Sequence, residues 1–146
     1  MTATARNPWN SYRQIAAQTA PPGQLVLMLY DGALRFLECA LTGFDRTDPG
    51  ERNSTINNNL QRAVDIVREL NCCLDTDAGG QLARTLRDLY DYMERRIVES
   101  NLKKRRAGVD EVITHLKELR NAWAAMLANQ GQSRPVAETR SEWQTA

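Results

Sequence analysis

The chain has a single histidine, three cysteines and no apolar run longer than seven residues. Each scarcity excludes something. A run that short falls far below the roughly 20 residues a helix needs to span a bilayer, so no membrane insertion is expected. Residues 1–24 hold no apolar stretch of the signal-peptide kind, and the expected location is cytoplasmic. Cys72 and Cys73 are neighbours and Cys39 stands apart, a spacing that makes neither a disulfide framework nor a zinc site. They read as reduced, buried or half-buried thiols, with no metal and no cofactor expected. His115 lies at the edge of an apolar stripe, with no partner placed beside it. Glu94, Glu99 and His115 do not compose the paired Glu-x-x-His motifs of a di-iron bundle. Gly79-Gly80 lack the lysine and spacing of a phosphate loop, and no nucleophile elbow occurs. No catalytic residue emerges, and the chain reads as a non-enzyme. Charge of one sign is also missing. Nineteen Lys and Arg against eighteen Asp and Glu leave a formal +1, without the basic surplus usual in nucleic-acid and membrane-surface proteins.

What is present is helical periodicity, over a length of 146 residues that suits one domain. The stretch from Pro22 to about Phe44 is its centre. On a helical wheel the apolar residues from Leu25 through Leu27, Leu29, Tyr30, Leu34 and Leu37 to Phe44 fill an arc of about 200°, twice the stripe of an ordinary surface helix. A helix this apolar has to be covered from two directions. Met28 falls in the polar arc and is expected at the surface.

Helix two has Asp48 as cap, Pro49 in the first turn and Glu51 three residues after the cap. Its stripe is Ile56, Leu60, Ala63, Val67, Leu70 and Leu74, widened by Val64. A turn is expected at residues 75–80. Helix three carries Leu82, Ala83, Leu86, Leu89, Tyr90, Met93 and Ile97 on one face, while Tyr92, Val98 and Leu102 fall off it. It closes near Lys103-Lys104, where positive charge suits the helix dipole. Helix four carries Val109, Val112, Leu116, Leu119, Trp123 and Met126. Residues 129–146 lose the periodicity and are expected to be a disordered tail.

Short connections between long helices make antiparallel neighbours. The expected fold is therefore all-α: an antiparallel up-down bundle of four long helices over residues 21–128. An N-terminal arm or short helix over residues 1–20 lies on it. In that arm Trp9, Tyr12 and Ile15 are too apolar for an idle tail, yet the segment is too short to fold alone.

Arg95, Arg96 and residues 103–106 form a basic run. As a site it is a patch for nucleic acid or an acidic partner; as structure it is a solvated helix end complementing the dipole. The lack of interleaved aromatics favours the structural reading. A helical-bundle adaptor binding nucleic acid or an acidic protein through residues 95–106 stays as the alternative function.

Several stretches together resemble a known family. They are Tyr12-Arg13, the run from Pro22-Gly23-Gln24-Leu25 to Tyr30-Asp31-Gly32-Ala33, Glu69-Leu70-Asn71 with Leu74-Asp75, Gly79-Gly80, Leu89-Tyr90-Asp91-Tyr92-Met93, Arg95-Arg96, Asn101-Leu102 and Ala122-Trp123. In order and spacing they are similar to the flagellar secretion chaperones of the FliS family, across about residues 9–127. The resemblance implies an antiparallel helical bundle. It also implies a cytoplasmic export chaperone that holds the disordered C-terminal segment of flagellin, keeps it from polymerising early and helps deliver it to the flagellar type III export apparatus. The expected partners are that segment and an export gate protein, with no nucleic acid. Leu27, Met28, Tyr30, Leu34 and Tyr92 are the expected flagellin-binding residues; Trp9, Tyr12 and Ile15 are assigned to contact with the export gate. The family often has Ser before the Pro-Gly that opens helix one, where this chain has Pro21. Residues 103–106 are more basic than the family pattern after Asn101-Leu102.

Overall fold

Short, capped connections fold the chain back on itself. The computed structural model describes the backbone of residues 22–145 and the side chains of residues 23–130. It comprises α1 (Pro22–Phe44), α2 (Pro49–Cys72), α3 (Thr76–Lys103) and α4 (Ala107–Thr145), and no strand occurs among the described residues. The Asp48 carboxylate accepts the Glu51 amide at 2.9 Å and Pro49 stands in the first turn of α2, the arrangement its sequence predicts. Asp75 does the same for α3, accepting the amides of Asp77 and Ala78 at 3.1 and 3.0 Å. That cap starts α3 inside the expected turn. The chain change is absorbed instead at Gly80, whose φ of 57° and ψ of −134° kink the helix, a conformation that only glycine adopts without strain. At the other end Lys104 takes the left-handed conformation (φ 51°, ψ 51°) and its amide bonds the Ser100 carbonyl, closing α3.

Each helix packs on its neighbours in sequence, and α4 closes the ring against α1, leaving α1 and α3 on the diagonal. All four seams are antiparallel. Gly43 meets Ile56 between α1 and α2, Asn57 bonds Asn101 and Arg68 bonds Glu94 between α2 and α3. Arg96 bonds Glu111 between α3 and α4, and Arg120 bonds Asp31 between α4 and α1. The all-α antiparallel bundle is thus as the periodicity predicts, with α1 flanked on both sides as its wide apolar arc requires. Leu29, Leu37, Ile56, Leu60, Leu70, Met93, Ile97 and Leu116 are fully buried, each contributing roughly 1.5–3 kcal/mol on removal from water.

Four expectations are not met. Leu82 is 70% exposed: it lies two residues past the Gly80 kink. Met28 is half-buried rather than exposed. The cysteines, expected at least partly inside, are all exposed; Cys39 shares the outer side of α1 with Arg35, Glu38 and Thr42, and Cys72 and Cys73 stand at the solvent-facing end of α2. Helical backbone continues past residue 128 to Thr145. Loss of hydrophobic periodicity removes a reason to pack, while residues such as Ala, Glu, Arg and Gln still favour helix. The arm, residues 1–20, lies outside the described residues, and with it Trp9, Tyr12 and Ile15.

Candidate functional site

Helix α1 is the natural place to look for a partner surface, because its apolar arc is wider than two neighbours fill. Leu25, Val26, Leu27 and Met28 at its start are all half-buried, whereas Leu29 and Tyr30 are closed off. Leu27 lies one turn from Gly23 and one turn from Asp31, two α1 residues bonded to α4. There the Trp123 indole N–H donates to the Gly23 carbonyl at 2.9 Å, and a side chain on Gly23 would strike Leu127 at 2.6 Å. The Arg120 guanidinium donates to Asp31 at 2.8 Å. Met28 lies on the outer side, and below it a shallow groove of about 460 Å³ runs past Asp31, Leu34, Arg35, Glu38, Cys39 and Thr42.

The five expected binding residues therefore divide. Leu27 and Met28 are accessible. Leu34 is 8% exposed and reaches only the floor of the outer groove, and Tyr30 is 2% exposed, so neither is a free surface group while the bundle is closed. The Tyr30 hydroxyl is instead shared with that of Tyr90 at 2.5 Å, and burial raises the pKa of both phenols. Tyr92 is exposed but belongs to another face. Its hydroxyl donates to Glu111 at 2.5 Å across the α3–α4 seam, where Arg96 holds the second Glu111 oxygen at 2.8 Å and His115 lies 3.6 Å away. The bond from Tyr92 and then that from Arg96 hold the Glu111 carboxyl below its usual range. The structure thus brings Leu27, Met28 and Leu34 together on α1 and does not bring Tyr92 to them.

A second concavity went unassigned by sequence reasoning. Between α2 and α3 a groove of about 410 Å³ has Leu60, Val64 and Ile97 in its floor, with Val98 and Leu102 at its edge. Val98 is 41% and Leu102 81% exposed. The signal was available, since both residues fall off the buried stripe of their helix. No group of three or more His, Cys, Asp or Glu side chains placed to hold a metal occurs among the described residues, and no helix among them is long and apolar enough to cross a membrane.

Comparison with known proteins agrees with this architecture. The family model described as Flagellar protein FliS matches residues 5–130. The flagellar secretion chaperone FliS of Bacillus subtilis is 33% identical over 129 residues, covering 88% of this chain and 92% of that protein. The Salmonella typhimurium protein of the same name is 34% identical over 109 residues, covering 74% and 78%. That of Campylobacter jejuni is 33% identical over 122 residues, covering 84% and 92%.

Proposed function

The chain belongs to the flagellar protein FliS family, a family of chaperones and not of enzymes, and from that premise we propose that it binds the disordered C-terminal segment of flagellin in the cytoplasm. It keeps that segment from polymerising early and helps deliver it to the flagellar type III export apparatus. The observation that carries the reading is the match to secretion chaperones along nearly the whole bundle. The physics suits the task. An unfolded amphipathic segment needs its apolar face covered until it is secreted, and a helix with surplus apolar surface offers that cover through contacts at i, i+3, i+4 and i+7. Ordering the segment lowers the affinity per unit area, so a large footprint matters more than any single contact.

Leu27 and Met28 make direct contact in this reading, with Tyr30 and Leu34 holding their backbone from beneath. Tyr92 takes part at a separate point, which suits a segment that wraps round more than one seam. Trp9, Tyr12 and Ile15 serve the export gate protein. The test is flagellin polymerisation followed by light scattering. Equimolar chain abolishes filament growth of full-length flagellin, and an excess of the free C-terminal segment, by competing for the chain, restores it. Filament growth from full-length flagellin at an undiminished rate overturns the proposal.

A further inference from the structure

The exposed edge of the α2–α3 groove carries chemistry that the chaperone reading does not use. Val98 and Leu102 are one turn apart on α3 and form an apolar ridge, with Arg95 and Lys103 sharing the adjoining surface. Two of the carboxylates on this surface are engaged, Glu94 with Arg68 at 3.0 Å and Glu99 with Arg96 at 2.6 Å and Lys103 at 3.5 Å, while Asp65 on α2 makes no ion pair among the described residues. The cations are in excess. Arg95 and Arg105 make no ion pair among the described residues, and the Lys104 ammonium is bonded only to the amide oxygens of Asn101, at 2.8 and 2.6 Å. The face is therefore an apolar ridge with uncompensated positive charge along its flank.

We propose that the Val98–Leu102 ridge, with Arg95 and the basic turn after Lys103, is a second docking surface that receives an acidic amphipathic helix of a protein partner. The apolar side of such a helix covers Leu102 and fills the groove above Leu60 and Val64, and its carboxylates meet the unpaired guanidinium groups. Charge decides the occupant. A second copy of this chain would bring the same unpaired cations face to face, and like charges across an interface disfavour it. A nucleic acid would use the cations and leave the apolar ridge in water. The surface belongs to α2 and α3, so the proposal does not rest on the use of α1 by flagellin.

The test uses the full chain and a fluorescent synthetic peptide of about 18 residues, five helical turns. Leucines lie along one face and glutamates beside them; a control peptide of identical composition scatters its leucines round the helix. Anisotropy at about 0.15 M salt is expected to give binding of the amphipathic peptide at least about tenfold tighter than the control. Leu102→Ser is expected to weaken it by a similar factor with unchanged helix content. Arg95→Gln is expected to weaken it less and to flatten its salt dependence, and Met28→Ser on α1 to leave it unchanged. No binding, equal binding of the control, insensitivity to Leu102→Ser, or displacement by a single-stranded oligonucleotide overturns the proposal. So does a concentration-dependent dimer in sedimentation that Leu102→Ser abolishes, which would give the ridge to a second copy instead.

Discussion

The hydroxyls of Tyr30 on α1 and Tyr90 on α3 meet at 2.5 Å across a diagonal of the bundle, joining two helices that share no seam. Both residues are 2% exposed. Each hydroxyl is the other's hydrogen-bond partner among the described residues. The pair holds the accessible Leu27 and Met28 in place from below, because Tyr30 lies within one turn of both.

Removing one hydroxyl leaves the other buried without a partner, which costs more than an average hydrogen bond contributes. Tyr30→Phe and Tyr90→Phe are each expected to destabilise by about 1–3 kcal/mol, and the double replacement by less than the sum. Urea denaturation of the three variants measures the cycle. Additive losses would mean that the two hydroxyls do not depend on each other.

The α3–α4 seam predicts a response to acid. Arg96 and then the charge of Lys103 lower the Glu99 pKa, and Tyr92 and then Arg96 lower that of Glu111. A carboxyl whose folded pKa is depressed stabilises the fold above its unfolded pKa, here near 4.5, and that stabilisation is lost as pH falls through the lower folded value. The denaturation midpoint should hold from about pH 7 to 5 and fall below that. Glu111→Gln should lower the plateau and make the fall shallower. An identical acid limb in the variant would remove Glu111 from the account.

At the α1–α2 crossing Gly43 has no room for a side chain. A Cβ there would lie 2.9 Å from Ile56 Cγ1 and 3.1 Å from the Ile56 nitrogen. Gly43→Ala gains up to about 1 kcal/mol of helix propensity and loses about 1–3 kcal/mol to crowding in a packed seam, so a net loss of stability is expected. The neighbouring, exposed Thr42→Ala should be neutral or stabilising in the same thermal melts. A stabilised Gly43→Ala would mean that the crossing is looser than its geometry.

Much of this fold could be read from the sequence because four helices repeat their apolar residues by three and four, and because Asp48-Pro49 marks the start of α2. Partners are another matter. Periodicity says which side of a helix is apolar, not which residue on it is closed off, so Tyr30 and Leu27 look alike on a wheel and differ in the fold. The same limit hid Leu82, which sits on the stripe but just past the Gly80 kink and is exposed. Tyr92, Arg96, Glu111 and His115 come from two helices, and no spacing along either one announces their meeting. The exposed Val98 and Leu102 were visible as residues off the stripe; what lies across from them was not.

Residues 1–17 carry a prediction of their own. Trp9, Tyr12 and Ile15 precede in sequence a helix with surplus apolar surface, and we expect the arm to rest on it when no flagellin is bound. A segment this short is held weakly, because ordering about ten residues offsets most of what a few buried side chains contribute. Deleting residues 1–17 should raise binding of a dye that reports exposed apolar surface, and leave flagellin-segment affinity equal or slightly tighter. A tenfold weaker affinity with unchanged helix content would make the arm part of the binding surface and end the self-capping idea.

The most direct measurement of the central claim is calorimetric titration of the full chain with the C-terminal segment of flagellin at about 0.05 and 0.5 M salt. Apolar burial predicts one-to-one binding, a negative heat-capacity change and an affinity that changes little between the two salts; the double replacement Leu27→Ser, Met28→Ser weakens it at least about tenfold. No heat of binding would contradict the account, and so would an affinity that collapses with salt as release of condensed counterions demands.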